Sequence, residues 1–162
     1  MDILAHGLWT AVVYSKIKLR DRIWAVFFGI APDLFSFGWF LVASFFTGAW
    51  HGGPPDITQV PGYVFTLYNI GHSIFTWLAI FVLVWLINQK PWWPLAGALL
   101  HITIDVPLHE ADFFPTPWLW PVSTYTVNGI SWAQPVFMLT NYSLLAITYI
   151  MWVIWRYQKA KL

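Results

Sequence analysis

Residues 64–87 read VFTLYNIGHSIFTWLAIFVLVWLI and contain no Asp, Glu, Lys or Arg. The hydrocarbon core of a bilayer is about 30 Å thick, and about 20 apolar residues in a helix cross it. This stretch therefore predicts a membrane-spanning helix. Its histidine, His72, lies between Gly71 and Ser73, small residues that let neighbouring helices approach closely.

The composition extends this prediction to the rest of the chain. Hydrophobic residues make up 59% of the 162 residues and charged residues 9%, whereas a soluble domain is about one quarter charged. Thirteen Trp and thirteen Phe residues add to the apolar surface. Residues 1–162 are therefore predicted to form a single membrane domain of the all-α class, a polytopic bundle of membrane helices.

Charge and cysteine content exclude several classes of function. The net charge is +1, which does not indicate nucleic acid as a partner. Because the sequence contains no Cys, disulfides and thiolate metal sites are excluded. The basic residues near the N-terminus follow the first apolar run instead of preceding it. We therefore expect this segment to be retained and not cleaved as a secretory signal.

Five apolar segments predict about five transmembrane or half-membrane helices. The segments cover about residues 3–14, 23–46, 64–87, 92–106 and 136–155. The first and fourth are short for a full span. Pro32 is expected to break or kink the second segment. A long connection rich in Pro and aromatic residues, about 107–135, joins the fourth segment to the fifth.

The distribution of basic residues predicts the orientation in the membrane. With five spans, all eight Lys and Arg residues fall on one side, and both long loops, which carry none, fall on the other. Cytoplasmic loops are the ones enriched in Lys and Arg. The N-terminus is therefore predicted to be extracytoplasmic and the C-terminus cytoplasmic.

Five ionisable residues are predicted at membrane depth, where the cost of burying them makes each a candidate functional residue. They are His6, Asp33, His72, His101 and Asp105. At about 1.5 Å of rise per residue, these residues of four segments reach similar depths in the outer half of the bilayer. His101 and Asp105 are four residues apart and share one helical face. Imidazole and carboxylate groups together suit a divalent cation.

A simpler interpretation stays open for each of these residues, because a polar side chain in a membrane helix also hydrogen-bonds to neighbouring helices. Pro107 is expected to end or kink the fourth helix. Three polar residues are expected beyond it, within reach of water or headgroups: His109, Glu110 and Asp112. Of these, His109 and Asp112 are additional ligand candidates, and His109 could fold back toward the site. His51, in a Gly/Pro-rich loop, is expected to be solvent-exposed.

Four short motifs occur in a fixed order along the chain. They are AHGLW (5–9), APDLFSF (31–37), GHSIF (71–75) and LLHITIDVPLH (99–109). Together they resemble the YdjM-like family of inner-membrane proteins, which are described as membrane-bound metal-dependent hydrolases. The continuation through FFPTP (113–117) is similar to the signature of one subgroup of that family. The resemblance covers most of the chain.

The resemblance implies a bacterial or archaeal cell (inner) membrane and a metal site with five ligands: His6, Asp33, His72, His101 and Asp105. Family members often carry a second carboxylate where this chain has Phe35 and Ser36, and an additional His where it has residues 68–70. Fewer ligands argue against a site for two metal ions. Zn²⁺ is the first expectation for the cofactor, with Mn²⁺ or Mg²⁺ as alternatives.

Three functions remain open. The favoured one is a membrane metal-dependent hydrolase acting on a lipid-linked ester or phosphoester near the extracytoplasmic leaflet, with Asp33 or Asp105 as ligand or base. Membrane lipid or a lipid-linked molecule would then be the partner. The second is a non-enzymatic subunit of a homo-oligomer or larger complex, or an ion- or proton-conducting element. The third is a haem protein with His72 and His101 as axial ligands, against which the carboxylates argue.

Overall fold

The computed structural model describes residues 1–49 and 55–159. Within these ranges every regular element is a helix and no strand is present, so the prediction of an all-α fold is confirmed. His51 and Lys161, for which the sequence predicts solvent exposure and a cytoplasmic position, lie outside the described residues.

The described chain contains six α-helices and two short 3₁₀ turns. They are α1 (Ile3–Val13), α2 (Leu19–Phe46), a 3₁₀ turn (Ile57–Gln59), α3 (Gly62–Gly71), α4 (Ile74–Asn88), a 3₁₀ turn (Trp93–Leu95), α5 (Ala96–Asp105) and α6 (Pro135–Lys159). Helices α2 and α6 are each long and apolar enough to cross a membrane, and α3 with α4 adds a third span if the bent pair is counted as one. These two or three candidates indicate a membrane protein. A bundle of about five spans remains a prediction.

Helix α2 corrects one of the two alternatives expected for Pro32. The break does not occur, because α2 continues as one helix from Leu19 to Phe46 with Pro32 inside it, and the kink stays a prediction. Helix α2 packs against α1, α3 and α5, and such neighbours compensate for the backbone hydrogen bond that a proline removes. The hydroxyl of Ser36 also donates to the carbonyl oxygen of Pro32 at 2.8 Å.

The stretch 64–87 is the second correction, because it is two helices and not one. Helices α3 and α4 meet at an angle of 55°, with His72 and Ser73 at the break. The Ser73 hydroxyl accepts from the backbone N–H of Thr76 and donates to the carbonyl oxygen of Trp120. The backbone N–H of Ile74 donates to Trp118 O at 3.0 Å. The N-cap and the connection after α5 therefore stabilise the break.

The helices that surround α2 approach it through small residues. A Cβ atom on Gly97 of α5 would overlap the carbonyl oxygen of Ala25 and lie 3.1 Å from the Gly29 nitrogen. On α1, Thr10 faces the same Gly29. Close packing of this kind is typical of helix contacts in membranes. It holds α1 and α5 against the middle of α2, one turn away from His101.

The outer surface of the bundle is strongly apolar. Large side chains such as Phe46, Trp39 and Ile87 are 82%, 73% and 71% exposed. Exposed apolar surface on this scale is rare in a soluble monomer and is what a lipid-facing surface requires. The buried interior, in contrast, contains several histidines and carboxylates.

Candidate metal centre

The five predicted site residues lie together in the interior of the bundle. His6 is on α1, Asp33 on α2, His72 at the break between α3 and α4, and His101 and Asp105 on α5. Asp33 is 6% exposed and the other four are 0% exposed. Such a concentration of ionisable groups without solvent is costly unless the groups pair with one another or bind a cation.

Four of the five form one compact set of potential metal ligands, which we call the DHHD set: Asp33, His72, His101 and Asp105. One ligand atom from each residue lies within 4.8 Å of the other three. The two Nε2 atoms of His72 and His101 are 3.2 Å apart. Asp33 Oδ1 lies 3.4 Å from His72 Nε2 and 3.8 Å from His101 Nε2.

Backbone carbonyl groups determine the tautomers of the two histidines. His72 Nδ1 lies 3.1 Å from the carbonyl oxygen of Tyr68, and His101 Nδ1 lies 2.7 Å from that of Gly29. A carbonyl oxygen only accepts, so each Nδ1 must donate its proton to it. In the neutral imidazole, each Nε2 atom then presents a lone pair toward the centre of the set. Metal-bound histidines are oriented by the same kind of hydrogen bond.

The centre of the DHHD set therefore has a concentration of lone pairs. Asp105 Oδ2 lies 3.1 Å from His101 Nε2 and 3.6 Å from His72 Nε2, yet this buried atom has no hydrogen-bond partner among the described residues. When both imidazoles are neutral, their Nε2 lone pairs at 3.2 Å and the two carboxylates repel one another in a medium of low dielectric constant, and the Met1 amino group offsets this only at Asp105 Oδ1. A divalent cation between them would remove that repulsion and satisfy the unpartnered oxygen.

The spacing of the four ligand atoms fits a small divalent ion. Ligands about 2.0–2.1 Å from a tetrahedral Zn²⁺ lie about 3.3–3.4 Å from one another. Five of the six separations, given above, range from 3.1 to 3.8 Å, and the sixth, between the ligand oxygens of Asp33 and Asp105, is within 4.8 Å. Two imidazoles and two carboxylates are also ligands that Zn²⁺ and Mn²⁺ accept.

His6 lies beside the DHHD set and contacts it through Asp105. Its Nε2 atom lies 2.8 Å from Asp105 Oδ1, the oxygen on the other side of the carboxylate from His72 and His101. Its ring stacks on the ring of His101 with 3.7 Å between centroids. The structure thus brings His6 to the site in a position to orient Asp105 and His101, which differs from the ligand role predicted from the sequence.

His109 takes the second of the two positions expected for it, because it folds back toward the site. It lies beyond the end of the helix as predicted, and it is buried, with 6% of its surface exposed. Its Nε2 atom lies 3.5 Å from Asp105 Oδ1, and its Nδ1 atom donates to Phe114 O at 2.7 Å. The amino nitrogen of Met1 lies 2.5 Å from the same Asp105 oxygen and 3.2 Å from His109 Nε2. His109 is therefore a neighbour of the site.

Asp112 does not join the site, because it is exposed and lies on the connection after α5. Glu110 is partly buried and is likewise absent from the contacts of the DHHD set within the described ranges.

Tyr68 is a site neighbour that the sequence did not indicate. Its ring stacks on the His72 ring with 3.8 Å between centroids. Its hydroxyl donates to Phe114 O at 2.9 Å, the same carbonyl oxygen to which His109 donates. The spacing of Tyr68 and His72, one helical turn apart, was the available signal.

The geometry argues against haem. Axial ligands bind on opposite faces of a porphyrin, whereas His72 and His101 have their Nε2 atoms 3.2 Å apart with Asp33 Oδ1 within 3.8 Å of both. No space for a macrocycle exists between them. The arrangement suits a single ion.

Comparison with known proteins gives no information on function, so the proposal below depends on the chemistry of this site. The chain matches no protein-family model, no curated protein and no solved structure.

Proposed function

We propose that this chain is a membrane metal-dependent hydrolase whose divalent cation is held by Asp33, His72, His101 and Asp105. The observation that carries the proposal is the pair of facing Nε2 atoms, 3.2 Å apart, beside the unpartnered Oδ2 of Asp105. A Zn²⁺ or Mn²⁺ ion at such a site lowers the pKa of bound water and polarises a scissile ester or phosphoester oxygen.

The roles of the two carboxylates follow from their surroundings. Asp105 is 0% exposed and is approached on both sides of its carboxylate, by His6 at Oδ1 and by His101 at Oδ2. This fixed position suits a permanent ligand. The Asp33 side chain is 9% exposed, so within the DHHD set it is the residue that substrate or water reaches most directly. We assign to Asp33 the combined role of ligand and proton acceptor.

A lipid-linked substrate is proposed because of the surface around the site. The candidate spans are apolar, and the large exposed side chains are apolar as well. A molecule that reaches Asp33 from the bilayer would carry its own apolar chain. The resemblance to the YdjM-like family supports the same reaction class, since the quoted family motifs contain all four residues of the DHHD set.

A non-enzymatic role is the second candidate. The complete burial of His72, His101 and Asp105 also suits an ion held permanently for structure, or an intramembrane relay for protons. Metal binding without turnover of any lipid ester would favour this candidate.

The first experiment tests hydrolysis directly. Purified protein reconstituted with Zn²⁺ or Mn²⁺ should release acid and alcohol from a lipid ester, or phosphate monoester and alcohol from a lipid phosphodiester. Asp33→Asn should lower the rate by about 10²–10⁴-fold, the usual contribution of a general base. Asp112→Asn, on the exposed part of the connection, should leave the rate within about twofold. Equal rates for wild type and Asp33→Asn would contradict the proposal.

Membrane orientation belongs to the same proposal and is tested separately. Because the chain contains no natural Cys, single cysteines report unambiguously. Lys16→Cys, in the exposed turn after α1, should be labelled from the cytoplasmic side, and Tyr125→Cys, 60% exposed in the connection after α5, from the outer side. Labelling of both from one side by an impermeant maleimide would refute the proposed topology.

A further inference from the structure

A second group of charged side chains lies at the end of the bundle where α2 begins and α6 ends. Arg22 is near the start of α2, and Arg156 is in the last turn of α6. Both guanidinium groups lie over the ring of Trp152, each with its central carbon 5.4 Å from the ring centre. The two positive charges are therefore no more than twice that distance apart. We call these three residues the arginine cluster.

The arginine cluster has no counterion in the part of the chain that the structure describes. Among those residues, neither Arg22 nor Arg156 makes an ion pair, and neither side chain donates a hydrogen bond. Asp21, the carboxylate that adjoins Arg22 in the sequence, pairs with Arg20 at 3.7 Å. Arg22 is also half-buried, and a guanidinium group has five N–H donors to satisfy. Two like charges in this arrangement favour an anion beside them.

The surroundings of the arginine cluster are basic, which disfavours a ligand with a positive group of its own. The stretches 16–22 and 156–159 contain one carboxylate, Asp21, against six basic residues: Lys16, Lys18, Arg20, Arg22, Arg156 and Lys159. The contact between Arg22 and Trp152 brings these two stretches to the same end of the bundle. A zwitterionic headgroup, with its ammonium group, is therefore a poorer partner here than a headgroup whose only charge is the phosphate.

The apolar surface beside the arginine cluster indicates the source of the phosphate. Leu19 and Ile23 on α2, and Met151 and Val153 on α6, are exposed, so acyl chains can lie along both helices. Trp152 fits the same position, because Trp side chains are enriched at the level of lipid headgroups. A free phosphate ion would make no use of this apolar surface.

We propose that the arginine cluster binds the phosphate group of an anionic phospholipid. Planar guanidinium groups bind phosphate oxygens through paired hydrogen bonds, and basic pockets between membrane helices bind lipid headgroups. The proposal concerns lipid binding and does not rest on the proposed hydrolysis. Arg22 and Asp33 both belong to α2 and lie roughly 16 Å apart along its axis, and the arginine cluster shares no residue with the DHHD set.

The test titrates purified protein in a neutral detergent with phosphatidylglycerol or with phosphatidylcholine of the same acyl chains, and native mass spectrometry measures the bound lipid. Phosphatidylglycerol should bind at least about fivefold more tightly, the effect of one basic residue on an anionic lipid at the membrane surface. Equal affinities for the two lipids would overturn the proposal. EDTA-treated protein should bind phosphatidylglycerol as well as the metal-loaded protein does, and loss of binding with the metal would place the lipid at the metal centre instead.

Matched variants locate the bound lipid. Arg22→Gln and Arg156→Gln should each weaken phosphatidylglycerol binding by about fivefold, whereas Arg20→Gln should change it by less than about twofold. Arg20 is the control because its variant loses the same charge, yet it lies on another face of α2 from Arg22 and has 86% of its side chain exposed. Arg156 is exposed, so its variant tests the site even if Arg22→Gln does not fold. Equal effects at all three positions would indicate diffuse attraction between charges and refute the site.

A competition experiment separates a lipid phosphate from a free one. Inorganic phosphate, added in an amount equal to phosphatidylglycerol, should leave lipid binding to the wild-type protein unchanged, because it has no acyl chains to contact α2 and α6. Displacement of the lipid by inorganic phosphate would assign the arginine cluster to a soluble anion and contradict the proposal.

Discussion

Asp105→Asn should empty the metal centre. The substitution keeps the size of the side chain but replaces a charged ligand by a neutral amide, and Asp105 contacts both histidines of the DHHD set. Purified wild-type protein is expected to hold about one divalent ion per chain, and the variant at least about tenfold less, since even residues that only orient metal ligands cost 10–100-fold in affinity. Metal content by mass spectrometry on matched samples measures this.

Stability supplies an independent readout of the same change. An ion whose free concentration is 100 times its dissociation constant stabilises the folded state by about 2.7 kcal/mol. Added Zn²⁺ should therefore raise the unfolding temperature of EDTA-treated wild type and leave Asp105→Asn unchanged. Glu110→Gln is the matched control, because Glu110 follows α5 without contacting the DHHD set. Loss of metal in Glu110→Gln with retention in Asp105→Asn would place the site in the connection after α5.

The i, i+4 spacing of His101 and Asp105 made their shared face predictable from the sequence, because both lie on one regular helix. Lys and Arg occur only in a few short stretches, which predicts the orientation of the helices in the membrane. Counting residues from the ends of each segment then gave the approximate depth of His6, Asp33 and His72. These arguments depend only on helical geometry and on the solvent. They indicated the five side chains that the structure brings together, of which His6 contacts Asp105 and lies outside the compact set of four potential ligands.

The connection after α5 was less predictable. His109 reaches Asp105 because the backbone N–H groups of Gly129 and Ile130 donate to the carbonyl oxygens of His109 and Pro107. These are long-range contacts with no periodic signature. The break at Ser73 has the same origin, since Trp118 O accepts from the backbone N–H of Ile74 and Trp120 O accepts from the Ser73 hydroxyl. In both places, contacts between distant parts of the chain determine the backbone conformation, and the local sequence pattern does not.

Helix α5 carries two of the four proposed ligands, and its position depends on Gly97. A methyl group there would overlap the carbonyl oxygen of Ala25, which belongs to the backbone of α2 and cannot rotate away. Gly97→Ala should therefore push α5 outward, at a cost of about 1–3 kcal/mol in folding free energy, the usual effect of overpacking. His101 lies one turn further along the same helix, so metal affinity should fall as well.

Gly38→Ala provides the matched comparison within α2. No atom lies within 4 Å of the position that its Cβ would take, and alanine is favoured over glycine in a helix by up to about 1 kcal/mol. Gly38→Ala should thus leave the unfolding temperature equal or higher and the metal content unchanged, while Gly97→Ala lowers both. Thermal unfolding followed by Trp fluorescence, together with metal analysis, measures the pair. If Gly97→Ala were as stable and as well loaded as Gly38→Ala, then α5 would not pack on α2 at this glycine, and the distances within the DHHD set would lose their support.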